Sequence, residues 1–196
     1  MSEDGFDIIV LGGGSGGYAA ALRARELGRT VALVERDQVG GTCLHRGCVP
    51  TKALLHSGEV ADVVRNAAHH GVSASFEAID IAAVHDYRRK IVSKKHAGLT
   101  GLLAARGVVT ITGDGYLEAD RRVRVGERVL SASDIVLATG GRTRELADVP
   151  LGGRVLSSDT ALELDEVPSS VVILGGGVIG VEFASIWRSF GAEVTI

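Results

Sequence analysis

Cysteine is scarce in this sequence, which contains two among 196 residues. The chain also lacks an N-terminal apolar run long enough for a signal peptide or a membrane span, which favours a cytoplasmic location. Structural disulfides are unusual in that reducing compartment. Cys43 and Cys48, separated by only four residues, therefore indicate catalysis or metal binding before they indicate a structural cross-link.

An excess of basic charge is absent as well. Lysine and arginine number 21 against 24 aspartates and glutamates, which gives a formal net charge of −3. This balance does not indicate a nucleic-acid-binding surface, so we expect no nucleic-acid partner. The richest basic stretch, residues 88–95, has helical spacing and is predicted to form a solvated helix face.

Glycine, by contrast, is abundant, with 27 residues that cluster at predicted turns. The first cluster follows a continuous apolar run at residues 8–11, which is typical of a strand covered on both faces. A predicted helix over residues 18–27 and a strand over residues 31–34 come next, and Glu35 ends that strand. The cluster has the spacing G-x-G-x-x-G and consists of Gly12, Gly14 and Gly17. A strand, this motif and a helix in that order predict a dinucleotide site.

The same pattern recurs after a shift of 163 positions. A strand is predicted over residues 171–174, and the equivalent glycines are Gly175, Gly177 and Gly180. In each copy the first glycine permits a tight turn, the second lets the backbone approach a pyrophosphate, and the third lets the helix pack closely on the strand. The helix N-terminus offers N–H groups to the phosphates. Glu35 is placed to accept hydrogen bonds from ribose hydroxyls.

The segment between the repeats supplies the remaining predicted elements. Helical patterns cover residues 42–64 and 80–106, short alternating runs over residues 108–130 predict an antiparallel meander, and residues 134–138 predict a buried strand. The turn at Ala138–Gly141 is expected to bring the backbone close to a nucleotide a second time. Together these elements predict an α/β fold with a Rossmann-like parallel sheet and a small antiparallel meander.

Three successive segments are predicted along the chain. They are a first nucleotide-binding domain over residues 1–150, a polar connection over residues 151–168, and the start of a second Rossmann-like domain over residues 169–196. The second copy ends before the residue equivalent to Glu35, which would select between NAD and NADP. A strand, a helix and part of another strand cannot bury their apolar faces alone. We therefore expect this sequence to be the N-terminal part of a longer chain.

Both cysteines lie in the segment GGTCLHRGCVPTK, residues 40–52. From the residues alone, they could form a redox pair, half of a metal site, or two unrelated buried thiols. A metal site is disfavoured because no third cysteine exists and His45 would leave the ligand set incomplete. The flanking glycines keep the turn accessible, which disfavours inert thiols and suits a flat ring packed against the backbone.

Charged groups near the cysteines support the redox interpretation. A thiolate near a helix start is stabilised by the helix dipole, and Lys52 can place a positive charge beside an electron-accepting ring. Glu182 in the second repeat takes the place of Ala19 in the first. Because phosphates would repel this carboxylate, we predict that it faces away from them and pairs with Lys52.

The segment GGTCLHRGCVPTKALL, the two glycine motifs, the ATGG stretch and GGGVIGVEFAS together resemble the pyridine nucleotide–disulfide oxidoreductases. The resemblance covers almost the whole chain. Val178 occupies a position at which glutathione reductases usually carry a tyrosine, which favours the lipoamide branch of the family. His45 and Arg46 replace the commoner Asn-Val, and Thr51 replaces serine, without removing a chemical role.

The resemblance implies FAD bound along the first domain and NAD bound at the second repeat. The flavin pyrophosphate would lie at Gly12–Gly17 and its adenosine ribose at Glu35. Further flavin contacts are implied at Gly41, Thr42, Lys52, Gly115, Thr139, Gly140 and Gly141, and NAD contacts at Gly175, Gly177, Gly180 and Glu182.

The resemblance also assigns catalytic roles. It implies that Cys43 is the interchange thiol that attacks the substrate and that Cys48 is the charge-transfer thiol against the flavin. Lys52 would lie near the flavin N5, with Glu182 as its partner. The implied reaction oxidises dihydrolipoamide and reduces NAD+ through a Cys43–Cys48 disulfide and FAD.

The implied parent protein is a homodimer. Its implied partners are the lipoyl domains of 2-oxo acid dehydrogenase complexes, with no membrane partner.

In the family the catalytic base is a histidine of the C-terminal domain of the partner subunit, so His45 is not expected to be that base. The remaining histidines are predicted at exposed, structural positions: His56, His69, His70, His85 and His96. Two alternatives stay open, namely a mercuric or glutathione-type reductase of the same family and an inactive FAD-binding fragment.

Overall fold

A computed structural model of the protein describes residues 4–196. The three residues that precede Asp4, which begin the predicted domain 1–150, lie outside the described residues. The described residues form eight strands: β1 (Asp4–Leu11), β2 (Val31–Glu35), β3 (Val109–Thr112), β4 (Gly115–Glu118), β5 (Arg122–Val125), β6 (Arg128–Leu137), β7 (Ser170–Val172) and β8 (Glu193–Thr195).

Helices connect most of these strands. The described residues form six α-helices: α1 (Ser15–Glu26), α2 (Gly41–His45), α3 (Cys48–Arg65), α4 (Ile81–Ala105), α5 (Ser158–Ala161) and α6 (Val178–Phe190). A 3₁₀ turn follows α3 at Ala67–His70. Within residues 4–196, no helix is long and apolar enough to cross a membrane.

The chain divides into two compact units. The first combines the chain up to His45 with Ser93–Thr143, and the second combines Arg46–Val92 with Arg144–Ile196. The domain bounds drawn from the sequence stay a prediction.

The first unit contains a six-stranded sheet in the order β3-β2-β1-β6-β5-β4. The strands β3, β2, β1 and β6 run parallel. The sheet continues with β5, which pairs antiparallel with β6, and with β4, which pairs antiparallel with β5. This is the predicted α/β fold, with a mostly parallel sheet and a short antiparallel extension.

Both faces of the two central strands, β1 and β2, are buried, as their continuous apolar runs predict. On one face, Ile9 and Val34 pack with Val123 and Leu130 from the antiparallel extension. On the other face, Val10 and Leu33 pack against helices α1 and α4 through residues that include Ala21 and Leu103. The sheet centre is therefore fixed by apolar packing from both sides.

Two strand predictions need correction. Residues 108–111 were expected to open the antiparallel meander, but the strand found there, β3, pairs in parallel with β2. The predicted strands at residues 128–130 and 134–138 are one continuous strand, β6, which pairs with β1 along its length and with β5 only near its start. The end of β6 is not buried, since Leu137 is 61% exposed.

The predicted helix over residues 42–64 is two helices. Its ladder breaks at Gly47, whose φ of −144° and ψ of −116° are not helical, so α2 ends at His45 and α3 begins at Cys48. Helix α4 forms as the spacing predicts. However, two of its polar side chains were expected to be exposed, and His85 and Arg88 are buried.

The second unit contains a parallel pair of short strands, β7 and β8, joined through α6. Its core forms around Leu54 of α3, Leu162, and the apolar face of α6, which includes Phe183, Ile186 and Trp187. Helix α6 ends at Gly191, which has the left-handed conformation typical of a helix C-terminus.

Candidate functional site

The first glycine motif forms a tight turn between β1 and α1. Gly12 has a φ of +105°, which favours glycine. A Cβ at Gly17 would lie 1.8 Å from the carbonyl oxygen of Gly12, so only glycine lets α1 approach the loop this closely. The loop therefore has the geometry that the motif predicts for a close approach of backbone to a phosphate.

Helix α1 presents its N-terminus at this loop. Gly14 caps the helix without a side-chain hydrogen bond, and no acidic residue lies in the first turn. The amides of a helix N-terminus carry partial positive charge and attract anions. The turn can therefore accept the phosphates of a nucleotide.

Glu35 is held at the end of β2 by the backbone. The Gly13 N–H donates to Oε2 at 2.7 Å, and the Asp37 N–H donates to Oε1 at 3.0 Å. Each carboxylate oxygen keeps acceptor capacity after one such bond. The carboxylate is thus oriented beside the glycine loop, where it can accept hydrogen bonds from ribose hydroxyls.

An open cleft of about 150 Å³ joins these features. It forms at the carboxyl ends of the parallel strands, where ligands of α/β sheets bind. The lining residues are Leu11, Gly12, Val34, Glu35, Arg36, Gly113, Asp114, Gly115 and Thr139. The structure therefore brings together four residues predicted to bind the cofactor.

Two charged residues of this cleft were missed by the sequence analysis. Arg36 and Asp114 directly follow β2 and β3, and both line the cleft. The signal was available in principle, because residues just beyond the ends of parallel strands meet at one edge of the sheet. It was lost because β3 was assigned to an antiparallel meander.

The start of the cysteine segment packs on the glycine loop. The Gly40 N–H donates to the carbonyl oxygen of Gly13 at 2.8 Å. A Cβ at Gly41 would lie 2.7 Å from the Cα of Gly14. This segment therefore enters α2 in direct contact with the predicted pyrophosphate site. Thr42 follows and is exposed, as are Thr139, Gly140 and Gly141 beyond β6.

The two cysteines lie at different helix positions. Cys43 is partly buried in α2, in the first unit, and Cys48 is the exposed first residue of α3, in the second unit. The position of Cys48 agrees with the expectation of a sulfur near a helix start. The pairing of the two sulfurs stays a prediction.

Lys52 and Glu182 form an ion pair between Nζ and Oε1. The predicted pairing is therefore confirmed, and it joins α3 to α6. Glu182 is the fifth residue of α6, whose first turn has no acidic residue, and its carboxylate faces a cation on α3.

The second glycine motif repeats the geometry of the first. Gly175 has a φ of +110°, and a Cβ at Gly180 would lie 2.1 Å from the carbonyl oxygen of Gly175. Gly177 caps α6 with an extended backbone, as Gly14 does for α1. The internal repeat read from the sequence is thus present in the backbone, and the second loop has the same capacity for phosphates.

His45, which was not expected to be the catalytic base, has partners within the first unit. Its Nε2 lies 3.0 Å from the carbonyl oxygen of Val39, and its ring meets His96 edge-on with centroids 5.1 Å apart. Within residues 4–196, no group of three or more histidine, cysteine or acidic residues is arranged to hold a metal ion.

Comparisons with known proteins identify the family of the chain. Residues 6–196 match the family described as pyridine nucleotide-disulphide oxidoreductase. The chain is 38% identical to a dihydrolipoyl dehydrogenase of Bacillus subtilis strain 168 and 41% identical to that of Zymomonas mobilis, over 97% and 98% of its length. It covers 43% of each of these relatives, so it spans less than half of their length.

A solved structure shows the same fold. The flavoprotein disulfide reductase RclA from Escherichia coli, in its Cu(II) complex, superposes with a TM-score of 0.77 at 27% identity. The match covers 99% of this chain and 42% of the RclA chain. On the strength of the family match, the repeated glycine loops and the cysteine segment between them, the chain belongs to the pyridine nucleotide–disulfide oxidoreductases.

Proposed function

We propose that this chain is part of a flavin-dependent disulfide oxidoreductase that moves electrons from dihydrolipoamide to NAD+. The observation that carries the proposal is the Lys52–Glu182 ion pair, which fixes a cation one helical turn beyond Cys48 on α3. A cation so placed suits a site where a thiolate donates charge to an electron acceptor. Relatives named dihydrolipoyl dehydrogenase favour dihydrolipoamide as the substrate.

The first unit fits FAD. Glycine is required where a side chain at Gly17 or Gly41 would collide with the loop, and Glu35 offers an oriented acceptor for a ribose. The cleft lies at the carboxyl ends of the parallel strands, with Gly115 and Thr139 on its wall. Bound FAD would supply a two-electron relay between a dithiol and a nicotinamide.

The cysteines supply the exchange chemistry in this proposal. In the oxidised protein, one thiolate of dihydrolipoamide attacks the Cys43 sulfur of a Cys43–Cys48 disulfide, and the Cys48 thiolate leaves. The second substrate thiolate then displaces Cys43, which releases the cyclic disulfide lipoamide and leaves two protein thiols. Two electrons and two protons have moved from the substrate to the protein. Re-forming the Cys43–Cys48 disulfide would pass a hydride equivalent to NAD+ and release the second proton to solvent.

The charged pair and the second glycine loop have defined roles here. Lys52 holds a positive charge where negative charge develops, and Glu182 fixes the position of its ammonium group. The loop at Gly175–Gly180 binds the NAD pyrophosphate at the N-terminus of α6. We further propose a cytoplasmic homodimer that acts on the lipoyl domains of 2-oxo acid dehydrogenase complexes.

Thiol exchange by this chain tests the proposal without requiring turnover. The chain is oxidised with lipoamide and its thiols are counted by alkylation and mass spectrometry. We expect Cys43 and Cys48 to become resistant to alkylation together, because they form one disulfide. Dihydrolipoamide should reduce this disulfide faster than glutathione does. The variants C43S and C48S are the matched controls, since neither can form the intramolecular bond. Failure of the two cysteines to protect each other would overturn the redox assignment.

Cofactor binding is tested separately by titrating FAD fluorescence with the chain. We expect the chain to quench FAD fluorescence on binding. The affinity for FAD should fall at least about tenfold in E35A, which removes the ribose acceptor. In D37N, which keeps the Glu35 carboxylate, the affinity should stay near that of the wild type. Dihydrolipoamide-dependent NAD+ reduction measures the complete reaction. Thiol exchange without FAD binding would favour the inactive-fragment alternative, and preferential reaction with glutathione disulfide or mercuric ion would favour another branch of the family.

A further inference from the structure

Helices α3 and α6 of the second unit meet at two places along their length. Near the start of each helix, Lys52 and Glu182 form the ion pair. Further along, a Cβ at Gly58 would lie 3.0 Å from the Cβ of Ser189, so the two helices are close together there. Gly58 lies six residues after Lys52, and Ser189 lies seven residues after Glu182. These spacings correspond to about 9 Å and about 10.5 Å of helix rise, so the two helices run in the same direction with a matched register.

Ser189 is held on α3 by its side chain and by its backbone. Its hydroxyl donates to Oδ2 of Asp62, and its carbonyl oxygen accepts a hydrogen bond from the Arg65 guanidinium, each at 2.5 Å. The same guanidinium nitrogen donates to Oδ1 of Asp62 at 2.8 Å. Asp62, Arg65 and Ser189 therefore form a closed group of hydrogen bonds between the two helices, here named the Ser189 anchor.

The Arg65 guanidinium also acts as a C-terminal cap of α6. The carbonyl oxygen of Ser189 is one of the last four of the helix, which have no partner inside it. Arg65 supplies a donor and places its positive charge at the negative end of the helix dipole. The guanidinium also lies 3.9 Å from the centre of the Phe76 ring, which holds it by a cation–π contact. The anchor is therefore a directional link between α3 and the end of α6.

The other contacts between these helices leave their register less defined. The core cluster joins Leu54 of α3 to Phe183 and Ile186 of α6, but apolar packing is not directional. In the ion pair, the Lys52 side chain is long and 57% exposed, so it can follow a carboxylate over some distance. Hydrogen bonds depend on distance and angle. The Ser189 anchor therefore defines how far α6 lies along α3.

We propose that Asp62, Arg65 and Ser189 are positioning residues for the Lys52–Glu182 pair. The Ser189 anchor sets the register of α6 on α3, and this register places the Glu182 carboxylate beside the Lys52 ammonium. Without the anchor, α6 shifts along α3 and the two charged groups meet less often. The proposal rests on the proposed function only for the catalytic use of the ion pair.

A zero-length cross-link measures how often the two charged groups meet. A carbodiimide activates a carboxylate, and an amine in contact with that carboxylate displaces the activating group and forms an amide. In the wild-type chain we expect an amide between Lys52 and Glu182, identified and quantified by mass spectrometry of the joined peptides. A wild-type chain without this cross-link would overturn the proposal.

Variants of the anchor give the decisive comparison. R65M keeps a long aliphatic side chain but has no donor, so its rate of cross-linking should fall at least about threefold. S189A loses the hydroxyl and keeps the carbonyl oxygen, so its rate should fall by less. R65K keeps a charged donor for that carbonyl and should recover part of the rate. The proposal fails if R65M or S189A cross-links as fast as the wild type, or if R65K is no faster than R65M.

Tryptophan emission separates positioning from a general loss of structure. Trp187 is the single tryptophan of the chain, is 3% exposed, and lies in the core cluster that joins the two helices. We expect R65M and S189A to keep the wild-type emission maximum under the cross-linking conditions. A red shift that accompanies slower cross-linking would show that the core has loosened, and it would overturn the positioning role.

R89M is the matched control. It removes the Arg89–Asp86 pair, which has the same i,i+3 spacing as Arg65–Asp62 but lies on the exposed part of α4 in the same unit. We expect R89M to cross-link at the wild-type rate, and a fall equal to that of R65M would contradict the specific role of the anchor. These measurements use neither flavin nor substrate. Their failure would therefore leave the results of thiol exchange and FAD titration standing, and the reverse also holds.

Discussion

At the scale of single residues, the glycine loop shows why a motif glycine cannot be replaced. Gly17 and Gly16 are neighbours at the start of α1, but only Gly17 faces the loop. A Cβ at Gly17 would overlap the carbonyl oxygen of Gly12, whereas a Cβ at Gly16 would meet no atom within 4 Å. The two positions therefore form a natural matched pair.

We predict that G17A destabilises the chain and G16A does not. The new methyl group in G17A must displace backbone, and overpacking of this kind costs about 1–3 kcal/mol or more. In G16A the residue gains helix propensity of about 1 kcal/mol at an exposed helical position. Urea unfolding measures both free energies. Equal stability of the two variants would contradict the close approach of α1 to the loop.

The contacts of a single residue could be predicted only where the sequence itself indicated its partner. Glu182 was matched to Lys52 because the internal repeat showed a carboxylate where phosphates disfavour one, and the ion pair is present. His85 and Arg88 gave no such signal, since a polar residue on a helix is usually exposed. Their hydrogen-bond partners are distant in the chain. His85 contacts the carbonyl oxygen of Leu164, 79 positions away, and Arg88 contacts that of Leu162, 74 positions away.

At the scale of elements, the strands and helices with strong periodicity were predicted correctly. A break within one predicted helix and the pairing direction of one strand were not. Helix α4 and the repeat of strand, glycine loop and helix formed as expected. The break at Gly47 was missed because helical residues on both sides masked a single non-helical position. The parallel pairing of β3 was missed because short alternating strands show periodicity but not partner or direction.

The Arg88–Glu163 bond between α4 and the residues that follow α5 leads to a pH-dependent stability. The side-chain hydrogen bonds from Arg88 lower the pKa of the Glu163 carboxyl below its ordinary value of 4.5. A group whose pKa is lower in the folded state stabilises it fully above its unfolded-state pKa, and this contribution is lost as the pH falls through the folded-state pKa. The loss therefore occurs below pH 4.5.

We predict that E163Q lowers the free energy of unfolding at pH 7 and lowers it by less at pH 3. The Glu163 side chain is 66% exposed, so solvent screening limits the difference at pH 7 to about 1 kcal/mol. As the pH falls below 4.5 the wild-type carboxyl takes up a proton and comes to resemble glutamine, so the difference between the two chains shrinks. Urea unfolding at the two pH values gives the comparison, with E59Q on the exposed face of α3 as the control variant. A difference that persists undiminished at pH 3 would contradict the charged nature of this bond.

At the scale of the whole molecule, the two copies of the repeat differ in how their strands are covered. Ile9 and Leu11 of β1 are 0% and 8% exposed. The residues 163 positions later, Val172 and Leu174, are 71% and 68% exposed. In the first unit β6 and the antiparallel extension cover β1. In the second unit, within the described residues, β7 pairs with β8 alone. The expectation that one strand, one helix and part of a second strand leave apolar faces uncovered is therefore confirmed.

This difference predicts opposite results for the same substitution in the two copies. In V172S/L174S the serines replace exposed apolar side chains, so we expect weaker binding of the dye ANS, less concentration-dependent association, and a free energy of unfolding within about 0.5 kcal/mol per residue of the wild type. In I9S/L11S the serines enter a packed core, and a loss of roughly 2–5 kcal/mol per residue should unfold the first unit. Dye fluorescence, sedimentation velocity and urea unfolding measure these effects. Comparable destabilisation by the two double variants would show that the β7 side chains are covered in solution.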